Sequence, residues 1–245
     1  MSDTLHRRIP HDVFAPLPLP GVRPLPSKDW LIFDEAFAGQ MAERDRLLAE
    51  RRQDVIAMQE SARPAAEELL DMVLSKAYPG AADHVDRSDG VTVPILRDDP
   101  MGTLARLVQC DLVLMQKPEG QSEHVLTAAA LLFPASWTLA QKFGRPLLRI
   151  HDPVDSYDEA VAKRVQRLFD GVQVDKPLWR FNALWYADAV LHQPRPEGGE
   201  RPQPAAGAPR FMRSERQVIL RLPRTSAVLF GIHTYLMRED DLRAG

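Results

Sequence analysis

Seven histidines, one cysteine and one arginine set among apolar residues are the positions at which this chain could do chemistry. An imidazole can ligate a metal, move a proton or pair with an anion, and the group that holds its second nitrogen decides which. His151 ends the apolar run Leu147-Leu148-Arg149-Ile150 and precedes Asp152-Pro153, where proline fixes the exit of the chain. At the end of such a strand-like run a histidine is either a ligand or hydrogen-bonded to backbone. His192 follows Ala189-Val190-Leu191 and precedes Gln193-Pro194; it is the second candidate, beside a plain loop-edge role. His233 shares a strand face with Leu229, Gly231 and Tyr235. His6 and His11 lie in a proline-rich arm and His84 in a polar loop, so these three are set aside. Cys110, between Gln109 and Asp111, is read as a buried thiol before a thiolate ligand. Arg216 alternates with Val218, Leu220 and Leu222, and an arginine on an apolar face wants an anionic partner, from a ligand or from an internal carboxylate.

The elements that must position these groups follow from pattern and composition. At 245 residues the chain can bury a sizeable core, and 44% hydrophobic with 27% charged residues is ordinary for a globular protein. A net charge of -3 gives no electrostatic reason to expect nucleic acid. One cysteine allows neither an intrachain disulfide nor a four-cysteine cluster, and it suits a reducing compartment. No apolar stretch nears the roughly 18 residues that span a bilayer, and the opening MSDTLHRRIP lacks a secretory core, so a cytoplasmic, membrane-free protein is expected. Six of the 21 prolines fall in the first 26 residues, predicting an extended arm over residues 1–30 that lies along the surface. Helices are predicted over about 34–78, with Pro64 in a first turn and Tyr78-Pro79-Gly80 as the stop. Residues 107–117 and HVLTAAALLFP predict a hairpin, SWTLAQKFG a short helix ending at Gly144, and 156–171 a further helix. KPLWRFNALWYAD is strand-like, 193–210 an exposed loop, and SERQVILRL and TSAVLFGIHTYL two strands about Pro223-Arg224. Helices ahead of a mostly antiparallel sheet make an α+β fold, with residues 31–245 as one domain.

Four blocks in this order carry a resemblance over most of the chain: WLIFDEAFAGQMAERDRLLAERRQDV, LVQCDLVLMQK, FPASWTLAQKFGRPLLRIHDPV and SERQVILRLPRTSAVLFGIHTY. Together they resemble the haem-dependent oxidative N-demethylase alpha-subunit-like family. The third matches its Phe-Pro, Trp, Lys-x-Gly-Arg-Pro and Ile-His-x-Pro-Val pattern; the fourth matches its closing hairpin. The family has Pro-Gly-Tyr where this chain has Asp155-Ser156-Tyr157, and Arg where His233 stands. The resemblance implies a PAS-like antiparallel sheet with packed helices and an N-terminal helical extension, holding haem b. It further implies oxidation of a secondary amine such as dimethylamine, with O2, to the primary amine and formaldehyde. Electrons would come from NADPH through FMN and a [2Fe-2S] cluster on reductase partner subunits. A reductase partner is also expected from the residues themselves, since no GxGxxG, Walker lysine loop or cysteine cluster is present.

Under that resemblance His151 is the expected axial ligand of the haem iron, with His192 as the alternate. Arg216, Arg224 and Arg145 are the propionate candidates, and Trp179, with Trp137, Phe181, Trp185 and Tyr157, offers aromatic walls for haem or a methylammonium group. Glu215 is the expected counter-charge for a substrate ammonium and His233 a ligand, hydrogen-bond donor or propionate partner. The alternative is a haem- or ligand-binding PAS-like sensor or accessory protein without turnover.

Overall fold

The computed structural model describes residues 4–15, 20–151, 159–200, 202, 205 and 207–244. Their framework is a seven-stranded antiparallel sheet, built mainly by the chain's second half. Among its described residues the proline-rich start contributes a two-residue strand, β1 (Arg23–Pro24), and then a 3-10 turn. Next come α1 (Phe37–Val55), the short strand β2 (Ile56–Met58) and α2 (Arg63–Ala77), with Pro64 in the first turn of α2, where its missing N–H costs nothing. A small hairpin, β3 (His84–Asp86) and β4 (Thr92–Pro94), leads to α3 (Pro100–Leu107), which Asp99 caps by accepting from Gly102 N. The remaining elements are β5 (Asp111–Gln116), β6 (Val125–Ala130), α4 (Leu139–Lys142), α5 (Leu147–His151), α6 (Glu159–Gly171), β7 (Leu178–Tyr186), β8 (Phe211–Arg221), β9 (Val228–Arg238) and α7 (Glu239–Ala244).

The sheet order is β1-β7-β8-β9-β5-β6-β2. Alternation along each strand sends successive side chains to opposite faces. On the first face, Leu112, Leu114, Val218, Leu220 and Leu229 pack against Leu69, Leu70 and Val73 of α2 and Leu104 and Leu107 of α3. On the second, Val113, Met115, Ile219, Val228 and Ile232 pack against Leu139, Leu147, Val161, Val165 and Phe169 of α4, α5 and α6. The β8–β9 turn is tied to α2 by buried Glu68, whose carboxylate accepts from Arg224 N at 2.6 Å and Thr225 N at 2.8 Å.

The α+β class, the central hairpin and the closing strands agree with the pattern, and Gly144 has the left-handed φ of 71° expected after α4. Four expectations change. The strand read over 107–117 begins only at Asp111, because α3 occupies the chain up to Leu107. The helical stretch about Pro64 is interrupted by β2, which adds an edge strand by pairing with β6. LLRIH is a helix, so His151 ends α5 and not a strand. The arm is packed into the fold where His6 (2% exposed) and Ile9 (9%) meet the sheet.

Candidate functional site

The second face carries a polar row across three strands. The register sets Arg180 opposite Gln217, Asn182 opposite Glu215, and Glu215 in turn opposite Thr234. Arg180 donates to Gln217 Oε1 at 2.9 Å, and Asn182 Nδ2 to Glu215 Oε2 at 3.1 Å. One pair further along, Arg213 is buried and donates to the carbonyls of Leu191 at 2.8 Å and Phe133 at 2.5 Å, with Glu215 Oε1 at 3.4 Å. Arg213 therefore ties the 131–135 and 187–193 segments to the sheet. Three buried polar atoms of this row, Arg180 Nε, Arg213 Nε and Thr234 Oγ1, have no hydrogen-bond partner among the described residues. Such atoms are rare in folded proteins and call for a ligand or water. The row holds two guanidinium groups against one carboxylate, so its surplus charge is positive, and burial lowers the pKa of Arg180 against the raising effect of Glu215.

One histidine lies beside this face, and α5 ends at another. Ile150 packs on the second-face core and its carbonyl accepts from buried Lys142 Nζ, which pins the end of α5 that carries His151. Burial lowers the Lys142 pKa, and the ammonium lies 5.7 Å from the Trp137 ring centre. The side chain of His151, like residues 152–158 and hence Asp155, Ser156 and Tyr157, falls outside the described residues. His192 Nδ1 donates to the Leu132 carbonyl at 2.8 Å, which fixes the tautomer and leaves Nε2 as a lone pair without a partner among the described residues.

The first face holds a different assembly, closed over by the arm. Asp34 Oδ2 accepts from His233 Nε2 at 2.7 Å and from His6 Nε2 at 3.0 Å, while Oδ1 accepts from Gln109 Nε2 at 2.8 Å. Burial pushes the Asp34 pKa up, but the two histidine hydrogen bonds outweigh it and hold the carboxyl well below the usual range. Two histidines and a carboxylate with ligand atoms within 4.8 Å have the composition of a metal centre. The Leu236 N–H donates to His6 Nδ1 at 3.1 Å, however, so the His6 proton must sit on Nε2 and that nitrogen has no lone pair for a metal. The cluster is a hydrogen-bonded clamp. His233 is buried and its pKa lowered by burial; its Nδ1 is unpartnered, and the ring lines a cavity of about 10 Å³, roughly the space of one water, beside Trp30, Cys110 and Arg216. Burial pushes the Cys110 thiol up to about 12, which keeps it protonated.

The structure thus divides the residues singled out from the sequence. Glu215 lies on the second face, whereas His233, Arg216 and Trp179 lie on the first, so the backbone of the sheet stands between them and they cannot share one ligand. The partner that Arg216 wanted is no anion: Nη2 donates to the Asp29 carbonyl at 2.7 Å and the guanidinium lies 5.7 Å from the Trp179 ring centre. Arg224 pairs with Asp71 at 2.8 Å in the middle of α2, away from the polar row. Arg145 is exposed beside β6, its carbonyl accepting from Leu126 N. Sequence reasoning missed Arg180 and Asn182, whose polar alternation between Leu178 and Leu184 was the available signal, and it discarded His6.

The family model for haem-dependent oxidative N-demethylase, alpha subunit-like, matches residues 21–245, nearly the whole chain. The chain belongs to that family. A haem-dependent N-demethylase alpha-subunit-like protein needs a place for a flat group bearing two carboxylates and an axial ligand for its iron. The second face offers excess positive charge, buried N–H groups without a partner among the described residues, and His192 on the segment that Arg213 ties to it. On the first face the arm packs over the His233 end, where the histidine nitrogens are committed or enclosed. Among the described residues no helix is long and apolar enough to cross a membrane.

Proposed function

We propose that the chain is the oxygenase subunit of an oxidative N-demethylase, acting on a secondary methylamine such as dimethylamine at the second face of a PAS-like sheet. The observation that carries this is the row Arg180, Arg213 and Glu215, which sets two guanidinium groups against one carboxylate on one face of the sheet, in a chain matched to the family from residue 21 to 245. Haem b, when bound, would supply the activation of O2. His151 is the proposed iron ligand and His192 the alternate. Lys142 would hold the α5 end in place, and the Leu132 carbonyl would set the His192 tautomer. Glu215 would hold the substrate ammonium as its counter-charge, kept in position by Asn182. One methyl C–H becomes C–OH using one oxygen atom of O2. The other leaves as water with two electrons from a partner chain and two protons. The carbinolamine C–N bond then breaks to give the primary amine and formaldehyde. FMN, a [2Fe-2S] cluster and NADPH belong on the reductase partners. His233 is left out of the proposed site because it faces the other way.

The test is formaldehyde release from dimethylamine by haem-loaded protein with a surrogate reductase. Turnover that Glu215→Gln lowers by about a hundredfold supports the reading. A Soret band without formaldehyde would favour the non-catalytic haem- or ligand-binding alternative.

A further inference from the structure

We propose that Arg180 is the seat of a ligand carboxylate on the second face of the sheet. The seat deepens the reading above and rests on it for the source of the anion. Arg180 stands mid-way along β7, and only its Nη1 is engaged, by a neutral acceptor, Gln217 Oε1 at 2.9 Å. Nε is buried without an acceptor, and neither Nε nor Nη2 has a partner among the described residues. These two nitrogens form the edge of the guanidinium that matches a planar carboxylate with two parallel hydrogen bonds.

Other buried arginines of this protein are compensated from within. Arg44 pairs with Asp111 at 2.7 Å, and Arg87 pairs with Asp45 at 2.9 Å and Asp89 at 2.6 Å. Arg213 has two carbonyls and Glu215, and Arg216 has a carbonyl and an aromatic ring. Glu215, the acid in Arg180's own row, is shared among Asn182 at 3.1 Å, Arg213 at 3.4 Å and Gln217 at 3.4 Å, and makes no ion pair with Arg180. A half-buried guanidinium held in a fixed rotamer by a glutamine, with its carboxylate-binding edge bare, is preorganised for an external anion. Two sources share that chemistry. One is a haem propionate. The other is the carboxylate of an amino-acid-type secondary amine such as N-methylglycine, whose ammonium Glu215 would take.

The test uses the full chain prepared without haem, as wild type, Arg180→Gln and Arg180→Lys, titrated with hemin and with hemin dimethyl ester by Soret absorbance. If a propionate occupies the seat, wild type prefers hemin over the ester by about ten- to a hundredfold. Arg180→Gln then loses the preference while keeping wild-type affinity for the ester, and Arg180→Lys restores part of it. If the substrate supplies the carboxylate, Arg180→Gln keeps the hemin preference. It instead weakens N-methylglycine by a similar factor, read from the Soret shift, and leaves dimethylamine unchanged. Equal loss of hemin and ester would show a merely structural arginine and overturn the proposal, as would an Arg180→Gln protein with wild-type behaviour toward all four compounds. Should wild type form no Soret band, the haem reading itself fails. The seat is then decided by thermal shift with N-methylglycine and acetate: stabilisation lost in Arg180→Gln upholds it, and no stabilisation of wild type overturns it.

Discussion

Replacing Asp34 by asparagine tests the clamp that holds the N-terminal arm on the sheet. The aspartate accepts through Oδ2 from His233 at 2.7 Å and His6 at 3.0 Å, and through Oδ1 from Gln109 at 2.8 Å and Ala36 N at 3.1 Å. Asparagine can keep the Oδ1 pair but turns its NH2 toward two N–H donors. His233 can answer by moving its proton to Nδ1, which has no partner among the described residues. His6 cannot, because its Nδ1 already accepts from the Leu236 N–H. One hydrogen bond to a charged acceptor is lost and a second loses its charge, each worth about 1.5–3 kcal/mol, offset in part because a carboxylate no longer has to be desolvated. The net expected loss is about 2–4 kcal/mol in urea unfolding followed by tryptophan fluorescence. The arm can also detach locally, so amide exchange at Leu236 is the second readout and should accelerate more than that of the β5 core. A variant within about 0.5 kcal/mol of wild type, with Leu236 exchange unchanged, would refute the clamp.

Three further outcomes are expected. Arg213→Met removes the donor to two buried carbonyls and strands Glu215 beside them, and should cost about 3 kcal/mol of unfolding free energy with the 187–193 segment becoming protease-sensitive. Burial, with help from Arg216, pushes His11 down to about 4, while an unfolded histidine titrates near 6.5. Between those values the unfolded chain binds a proton that the folded chain does not, so stability should fall as pH drops from about 6.5 to 4, and His11→Gln should flatten that limb in midpoints taken across it. His233, also lowered by burial, acts in the same direction, and Asp34 adds a loss only below about 3.9. Finally, His151→Ala should abolish or strongly shift the Soret band while His192→Ala leaves it near wild type; the reverse pattern transfers the ligand to His192.

The closing hairpin was legible because eleven residues in each strand alternate, with Val218 and Leu220 against Ile219 and Arg221. The stop at Gly144 was legible because a left-handed turn there requires glycine, and α2 because Pro64 and its Leu-rich face announce it. β2 was hidden: three residues, Ile56–Met58, are too few to show a period of two after a nineteen-residue helix. His6 was discarded because proline spacing describes the backbone and says nothing of what the arm packs against. Its partners lie 28 residues away at Asp34 and 230 away at Leu236, distances at which no local pattern operates. The same alternation that exposed Arg216 as odd also set Glu215 on the opposite face, so a single site containing both was excluded by the strand itself. Arg180 needed the β7–β8 register, which pairing of whole strands decides.

The most direct measurement is the absorbance spectrum of the full chain purified from cells supplied with haem, together with its haem-to-protein ratio. The proposed haem site on the second face predicts a Soret band near one haem per chain that survives removal of free haem and is unaffected by Asp34→Asn on the opposite face. A colourless protein that stays colourless after reconstitution, or a Soret band lost with Asp34 and kept with His151→Ala and His192→Ala, would contradict the account.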